Sequence, residues 1–486
     1  MLIFAMTLKS NDMLNIFQNL FESLQINEIQ FCNWKGHYAV ERHLNGEGDL
    51  DLFIPLTFKD NFEKIIKEVG FRRVKSYQAD HSFIEHYYGF DSDSSKFAHI
   101  HVYFKIVTGE HISKNYILPL ETFLLDNQDG SQPLKLINDK GKRSIFLIRY
   151  FLKIGSVYGV VQYLREKYKY SLEWKSFGQI RCYEDIPQLN LSSEELNHFE
   201  NVYESSNLLS AILTSINLKK KLKKYRRRTY LELLIFNLKN FIRRLINKFF
   251  LKKKKLIYPG QVIGVCGLDG SGKSSVVKAL GQNFSEHFSV KIFHLGRPRS
   301  NKLTLFINPL ILIYSLTKRL KKRNKKKVSS KNQNISIVYA IRSVLLAYDR
   351  KVESQKAHKF SKKGYLVICD RYPGLSPGKM DSPRIHEDQK RSSFYKFCHR
   401  LEKSLYMSIK PADTIFHLSV PLVEAIKRNN KREKFGKETE DELRERYNIN
   451  SGVKFLSDDY NSIDATVSFE EVLLVVKILI WNFKSE

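Results

Sequence analysis

Residues 262–274 read VIGVCGLDGSGKS. A hydrophobic run, typical of a buried strand, leads into the pattern Gly-x-x-x-x-Gly-Lys-Ser, and apolar residues at helical spacing follow it. Glycines allow successive backbone N–H groups to turn toward a phosphate, and the N-terminus of the next helix adds a positive dipole. The sequence therefore predicts a strand, a phosphate-binding loop and a helix, in that order.

The positions within this loop define a predicted site for a nucleoside triphosphate. Lys273 occupies the position that reaches the β- and γ-phosphates, and the hydroxyl of Ser274 can ligate Mg²⁺. The residues that we expect to bind the nucleotide are Gly267, Asp269, Gly270, Ser271, Gly272, Lys273, Ser274 and Ser275.

A second phosphate-related signal lies about a hundred residues further along the chain. Residues 365–370 form an apolar, strand-like run that ends in the carboxylate of Asp370, and Arg371 follows at once. A carboxylate at the end of a buried strand can reach the Mg²⁺ ion beside a phosphate-binding loop. Asp370 is therefore the second predicted metal ligand of this region.

The length and the patterning predict several domains. At 486 residues the chain is long for a single domain. Residues 1–132 mix helix-like and strand-like patterns, 133–255 are mainly helical, and 256–486 alternate apolar strands with helices. This order predicts an α/β protein with an α+β N-terminal domain, a helical middle region and a C-terminal parallel sheet flanked by helices.

The C-terminal region resembles the thymidylate kinase family of P-loop kinases. The residues that carry the resemblance are the phosphate-binding loop with Asp269, the pair Asp349-Arg350, the triplet 370–372 (Asp-Arg-Tyr) and a basic, lid-like segment at 427–432. The resemblance covers roughly 230 residues and implies ATP- and Mg²⁺-dependent phosphoryl transfer, often to a nucleoside monophosphate such as dTMP.

The same resemblance implies roles for individual residues. Asp370 would orient the acceptor or the metal, and Arg371 would contact phosphate. Arg428 and Arg432 of the lid would close on the transferring group and balance its charge. The alternative for the lid is a solvated basic helix face. The predicted catalytic set is therefore Lys273, Asp370, Arg371, Arg428 and Arg432.

Two segments depart from the thymidylate kinase pattern. Residues 294–298 read His-Leu-Gly-Arg-Pro, where the family has Arg-Glu-Pro. Residues 373–384 form a Pro- and Gly-rich stretch where the family has a base-stacking helix. This stretch predicts a dedicated acceptor-binding loop that does not form a thymine-binding pocket. We therefore keep two alternatives to a nucleoside monophosphate kinase: a kinase acting on a sugar or surface-glycan precursor, and a nucleotide-binding membrane scaffold without turnover.

The N-terminal region contains a pair of aspartates, Asp49 and Asp51, in a predicted strand after a Gly-x-Gly turn. Carboxylates two residues apart on a strand share a face and can hold Mg²⁺. With the preceding Lys35-Gly36, they resemble nucleotidyltransferases of the DNA polymerase β type. His99 and His101 stand where that family places a third carboxylate. An active transferase, a nucleotide- or glycan-binding module, and plain structural polar residues remain alternatives.

The net charge of +30 is concentrated in two segments. Residues 219–255 contain 16 Lys and Arg and one acid, and 318–331 contain 9 and none. Residues 229–250 place apolar side chains on one helical face between basic flanks, which is typical of a helix lying on an anionic membrane. Contact through 229–255 and 303–327 is one prediction, and packing of the apolar face on a protein core is the alternative. Nucleic acid is the weakest partner because aromatic base platforms are not evident.

The remaining features concern the compartment. The five cysteines are scattered, and the chain contains no uncharged apolar stretch of 18 residues. These observations predict a cytoplasmic protein, either free or peripheral to the inner face of the membrane. The patterns do not set the oligomeric state.

Overall fold

A computed structural model describes residues 13–76, 81–110, 112–129, 133–155, 157–178, 183–250, 253–257, 259–322, 337–387, 392–430, 439–450 and 452–483. The chain divides into two compact units, Met1–Lys254 (unit 1) and Lys255–Glu486 (unit 2). The predicted division of unit 1 at residue 133 stays a prediction.

Unit 1 combines a mixed sheet with helices. Its strands are β1 (Cys32–Asn33), β2 (Leu50–Phe53), β3 (Arg72–Lys75), β4 (Ile84–Asp91), β5 (Lys96–Tyr103), β6 (Ile106–Thr108), β7 (Tyr116–Leu118), β8 (Gln128–Asp129) and β9 (Leu136–Ile137). Its helices are α1 (Asn15–Ile26), α2 (Val40–Leu44), α3 (Lys59–Glu68), α4 (Glu121–Asp126), α5 (Asp139–Ile154), α6 (Val157–Lys175), α7 (Ser193–Glu204), α8 (Leu208–Lys221) and α9 (Tyr230–Phe250).

The sheet of unit 1 runs in the order β3-β4-β5-β2-β1-β9-β8. Strands β4 and β5 are antiparallel, whereas β2 and β5 are parallel. The sequence predicts one long strand over 97–107. The structure instead ends β5 at Tyr103, and β6 pairs with β7 in a separate ribbon. The apolar pattern of the sequence continues through the bend between β5 and β6, so periodicity alone does not show that β5 ends at Tyr103.

Two hydrophobic clusters hold unit 1 together. One joins helices α1 and α3 to the sheet through residues such as Phe17 and Phe62. The other contains Phe146 and Leu196 from the predicted helical region together with Trp34 and Tyr103. Side chains from both sides of residue 133 therefore share one core, and the helical character of the middle region is confirmed.

Unit 2 is built around a parallel sheet. Its strands are β10 (Lys255–Leu256), β11 (Val262–Gly267), β12 (Val290–His294), β13 (Leu366–Asp370), β14 (Thr414–Ser419) and β15 (Tyr460–Asp464). Its helices are α10 (Lys273–His287), α11 (Lys302–Lys322), α12 (Ile337–Ser361), α13 (Ser393–Met407), α14 (Leu422–Asn430), α15 (Glu440–Asn450) and α16 (Phe469–Asn482).

Five of these strands form a sheet in the order β12-β13-β11-β14-β15, and each neighbouring pair is parallel. The central strand β11 is buried along its whole length, as a parallel strand covered on both faces must be. This arrangement confirms the predicted fold class. Because parallel strands end at the same edge, the ends of β11, β13 and β14 meet where ligands of such sheets bind.

The apolar face of helix α9 is largely exposed in the part of the chain that the structure describes, and both interpretations of this face stay predictions. The described face residues are between 43 and 67 % exposed: Leu231, Leu234, Ile235, Leu238, Phe241, Ile242 and Leu245. Within the described part of the chain, no helix combines the length and apolar character needed to cross a bilayer.

Candidate functional site

The phosphate-binding loop joins β11 to α10 at the edge where the parallel strands end. Gly267, Gly270 and Gly272 all have positive φ angles, of 150°, 97° and 87°. A Cβ atom on Gly267 would lie 2.5 Å from Ser271 Oγ and 2.7 Å from the carbonyl oxygen of Leu418. Glycine is therefore required at this point because the loop passes too close to β14 for any side chain.

Asp269 lies at the centre of a cluster of three cations. Its Oδ1 is 2.8 Å from Lys273 Nζ and 2.9 Å from Arg371 Nη2, and its Oδ2 is 2.7 Å from Arg446 Nη1. Lys273 Nζ also donates to the carbonyl oxygen of Leu268 at 3.1 Å. One carboxylate thus holds together three positive groups from the loop, from the end of β13 and from α15.

The electrostatics of the cluster follow from burial and charge. Burial by itself would raise the pKa of Asp269, but Lys273 and then Arg371 and Arg446 outweigh it and hold that pKa well below its usual range. Burial lowers the pKa of Lys273, and the neighbouring Arg371 adds to this effect, while Asp269 opposes it. Asp269, the single acid of this cluster, is consequently ionised at neutral pH.

Arg371 is held in a strained conformation. Its φ is +67°, in the left-handed region that side chains other than glycine rarely adopt. Its backbone N–H donates to the carbonyl oxygen of Val265 at 3.0 Å, and its guanidinium also approaches Asp381 Oδ2 at 3.4 Å. Strain of this kind persists only where surrounding contacts enforce it, which is typical of ligand-binding positions.

Asp381 is fixed from the other side by Arg350. The Arg350 guanidinium is fully buried, donates to Asp381 Oδ1 at 2.7 Å and donates to the carbonyl oxygens of Leu295 and Gly296 at 2.9 and 3.1 Å. Arg350 also donates to the hydroxyl of Tyr406. Arg350 of the Asp349-Arg350 pattern therefore supports the loop that carries Asp381, whereas Asp349 accepts hydrogen bonds from Asn301 and Thr304.

The residues predicted to ligate Mg²⁺ meet at the same edge. Asp370 ends β13, and both Asp370 and Ser274 line the cavity described below. One Asp370 oxygen is 3.2 Å from His294 Nδ1, whereas the other, Oδ1, is buried and has no hydrogen-bond partner within the described ranges. A buried carboxylate oxygen without a partner is costly unless a ligand binds it, so these residues fit a hard cation such as Mg²⁺.

A cavity of about 1250 Å³ opens over the loop. Its described lining includes nine Lys and Arg against four Asp and Glu. The residues of the two segments that depart from the thymidylate kinase pattern also line it: His294, Gly296, Arg297, Gly378, Lys379, Met380, Asp381 and Arg384. The structure therefore brings the loop and both departing segments to one space, which can take a polyanion together with a second molecule.

The predicted lid arginines have different outcomes. Arg428 lies on α14, where its Nε donates to Glu424 Oε1 at 2.8 Å, and it is absent from the described cavity lining. Arg432 lies outside the described residues. Sequence reasoning missed Arg446, although the two arginines within the acidic α15 segment, Arg444 and Arg446, were a usable signal. The roles of Arg428 and Arg432 stay predictions.

The predicted metal pair of unit 1 lies at β2 and is already engaged. Asp51 Oδ1 is 2.9 Å from Lys35 Nζ and 3.4 Å from His101 Nδ1. Asp49 is paired with His99 and lies 3.5 Å from His101 Nε2. Mg²⁺ binding at Asp49 and Asp51 therefore requires these partners to move, and the oxygens do not fit that ion as they stand.

As at Asp269 in unit 2, neighbouring cations outweigh the effect of burial on the pKa of Asp51. Burial alone would raise the pKa of Asp51, but Lys35 and then His101 bring it well below the usual range. Burial lowers the pKa of His99 to about 3, and the neighbouring His101 contributes in the same direction. Asp51 is therefore ionised at neutral pH, while His99 is neutral.

The chain is similar in sequence to two ATP-binding proteins of Escherichia coli. No family model matches it. It is 24 % identical over 222 residues to the "Uncharacterized ATP-binding protein YghR" of Escherichia coli, covering 44 % of this chain and 84 % of that one. It is 27 % identical over 156 residues to the "Uncharacterized ATP-binding protein YghS" of Escherichia coli (strain K12), covering 30 % and 63 %. Thymidylate kinase from Candida albicans is a similar solved structure, at 17 % identity and a TM-score of 0.26, covering 46 % of this chain and 91 % of that chain.

Proposed function

We propose that unit 2 is a kinase that transfers the γ-phosphoryl group of ATP to a small anionic acceptor. The observation that carries the proposal is the Asp269 cluster, which gathers Lys273, Arg371 and Arg446 beside the loop. The similarity to ATP-binding proteins of Escherichia coli supports the choice of nucleotide.

The chemistry requires positioning and charge compensation more than covalent catalysis. An acceptor oxygen attacks the γ-phosphorus in line, and the bond to the bridging β–γ oxygen breaks. Lys273 and Arg371 stabilise the negative charge on the transferring group and on the departing ADP. Mg²⁺, which Ser274 and Asp370 would hold, supplies further neutralisation of the phosphates.

The acceptor would bind on the side of the cavity formed by 294–298 and 378–386. Its lining carries Arg297, Lys379 and Arg384, while the acid there, Asp381, is committed to Arg350 and Arg371. A wall of this charge favours an acceptor that already bears phosphate, either a nucleoside monophosphate such as dTMP or a sugar phosphate. Incubation with ATP, Mg²⁺ and each class separately distinguishes the two. ATP binding without transfer to either class would contradict the kinase and favour the scaffold without turnover.

Replacing Arg384 tests the acceptor wall. We expect Arg384→Ala to raise the KM for the acceptor by about 10- to 100-fold, because one charge-assisted hydrogen bond is lost. The KM for ATP should stay within about twofold. Arg400, which is exposed on α13 and absent from the described cavity lining, provides the control Arg400→Ala. Equal effects on both substrates would place Arg384 outside the acceptor site.

We also propose that α9 docks unit 1 on an anionic bilayer. Its apolar face is exposed, and the surrounding segment 219–255 carries 16 Lys and Arg against one acid. Apolar burial and attraction to acidic headgroups add together in such helices, with about 1 kcal/mol for each basic residue near the surface.

Flotation with phosphatidylserine-containing vesicles tests this docking. We expect the double variant Leu234→Glu, Leu238→Glu to reduce vesicle binding at least about tenfold. Two leucines that become buried in the bilayer contribute several kcal/mol to binding. Leu209→Glu with Leu213→Glu is the matched control, since these leucines are 74 and 63 % exposed on α8. Unchanged flotation of the α9 variant would contradict the proposal. Self-association of the wild-type protein that added vesicles do not reduce would contradict it as well.

A further inference from the structure

Three histidines occupy one face of the unit 1 sheet. His86 on β4 is directly opposite His101 on β5, and His99 precedes His101 by two residues, so all three side chains share a face. One ring nitrogen from each lies within 4.8 Å of the other two. Side-chain rotations of ordinary size would bring three nitrogens at this spacing onto a single ion.

His86 adds an observation of its own. Its Nδ1 is buried and has no hydrogen-bond partner in the part of the chain that the structure describes. Leaving a buried nitrogen without a partner is unfavourable, and a bound ligand would remove that cost. The His101 ring contacts both other rings edge to face, with centroids 4.2 Å from His86 and 4.5 Å from His99.

Carboxylates surround the cluster as a supporting layer. Asp49 accepts from His99, and Asp51 Oδ1 lies 3.4 Å from His101 Nδ1. Histidines that bind metals usually donate their second ring N–H to a carboxylate, which fixes the ring and the tautomer. The two aspartates are therefore placed to orient His99 and His101, and binding through His101 Nε2 requires Asp49 Oδ2, 3.5 Å away, to turn aside.

A lysine already holds positive charge against this cluster. Lys254 Nζ lies 3.2 Å from His99 Nε2 and 2.6 Å from the hydroxyl of Tyr88, to which it donates. A metal ion at the histidines would be repelled by this ammonium group, so Lys254 must swing aside when the ion binds. Removal of Lys254 should therefore strengthen metal binding, whereas removal of a histidine should weaken it.

We propose that His86, His99 and His101 bind one divalent transition-metal ion of the Zn²⁺ type, with Asp49 and Asp51 as positioning residues. Imidazole nitrogen suits Zn²⁺ and similar ions, whereas Mg²⁺ prefers oxygen. Three protein ligands leave a fourth position for water or for a substrate. The site is separate from the nucleotide site of unit 2, and the proposal does not depend on the kinase activity.

Metal binding by the full chain, without an affinity tag, tests the proposal. Protein stripped with a chelator is titrated with Zn²⁺ by calorimetry, and Co²⁺ is used as a spectroscopic probe of the ligand geometry. We expect one Zn²⁺ per chain and a Co²⁺ visible spectrum of the four-coordinate kind. His86→Asn and His101→Asn should each weaken Zn²⁺ binding at least about 100-fold, since even supporting residues contribute 10- to 100-fold.

Two further variants separate this site from a general loss of folding. His198→Asn, at an exposed histidine of α7, should leave Zn²⁺ binding unchanged. Lys254→Met should tighten it several-fold, an effect that misfolding does not produce. The proposal is overturned if wild type and His86→Asn bind Zn²⁺ equally, or if Lys254→Met weakens binding. It is also overturned if the stripped chain binds Mg²⁺ at Asp49 and Asp51 in preference to Zn²⁺.

Discussion

Lys273→Met reduces phosphoryl transfer by at least about 100- to 1000-fold, on the scale of one preorganised charge removed from a transition state. Lys273 is 6 % exposed, donates to Asp269 and to the loop carbonyl of Leu268, and lies against the cavity. A methionine keeps the length of the side chain but cannot bind the β- and γ-phosphates. The rate of acceptor phosphorylation at saturating ATP measures the effect.

Lys278 provides the control for this variant. It lies on the same helix, α10, and is exposed. Lys278→Met should retain the wild-type rate, because it changes the net charge of unit 2 by the same amount without removing a cavity residue. A Lys273→Met protein that is folded and transfers phosphoryl at more than about a tenth of the wild-type rate would move the chemistry away from this loop.

Arg350→Met destabilises unit 2 by about 3–5 kcal/mol, the usual result of removing one partner from a buried ion pair. Arg350 is fully buried and serves four acceptors: Asp381, the carbonyl oxygens of Leu295 and Gly296, and Tyr406. Methionine fills much of the volume but leaves Asp381 with Arg371 as its remaining ion-pair partner in the described ranges, at 3.4 Å. The loss should therefore exceed that of an apolar truncation.

Urea-induced unfolding, monitored by hydrogen exchange in peptides from α12 and β13, assigns this loss of stability to unit 2. Arg350→Lys should recover only part of it, since an ammonium group cannot reproduce the forked geometry of guanidinium. Arg400→Met, at an exposed site on α13, should change stability by less than about 0.5 kcal/mol. A loss below about 1 kcal/mol for Arg350→Met would show that the buried pair contributes little.

Local patterns were sufficient for the elements that build the nucleotide site. The apolar run at 262–266, the glycine loop and the helix after it were all predicted, and β11 and α10 confirm the strand and the helix. The strand that ends in Asp370 was also predicted. Each of these signals lies within about ten consecutive residues, so the sequence states it directly.

Long-range placement was the part that the sequence could not provide. Arg446 contacts Asp269 across 177 residues, and Arg371 contacts it across 102. In unit 1, the sequence pointed to His99 and His101, whereas His86 joins them only through the antiparallel register of β4 and β5. Register and crossover connections are tertiary properties, because they depend on which strands pair and not on local periodicity.

The exposure of α9 is a related case. The helical periodicity of 229–250 predicts an amphipathic helix, but it is silent on whether the apolar face packs on protein or stays exposed. The structure adds the exposure of this face, with Leu231 and Leu238 more than 60 % exposed. Periodicity reports the distribution of side chains around one helix, while burial depends on the rest of the chain.

The most direct test of the account is a single-turnover experiment with ATP labelled on the γ-phosphate. Wild-type protein with Mg²⁺ and an anionic acceptor, a nucleoside monophosphate or a sugar phosphate, should move the label onto that acceptor. The same label should stay on ATP when Lys273→Met protein is used. Release of the label only as inorganic phosphate by the wild type, or equal transfer by both proteins, would contradict a phosphoryl-donor site at residues 267–275.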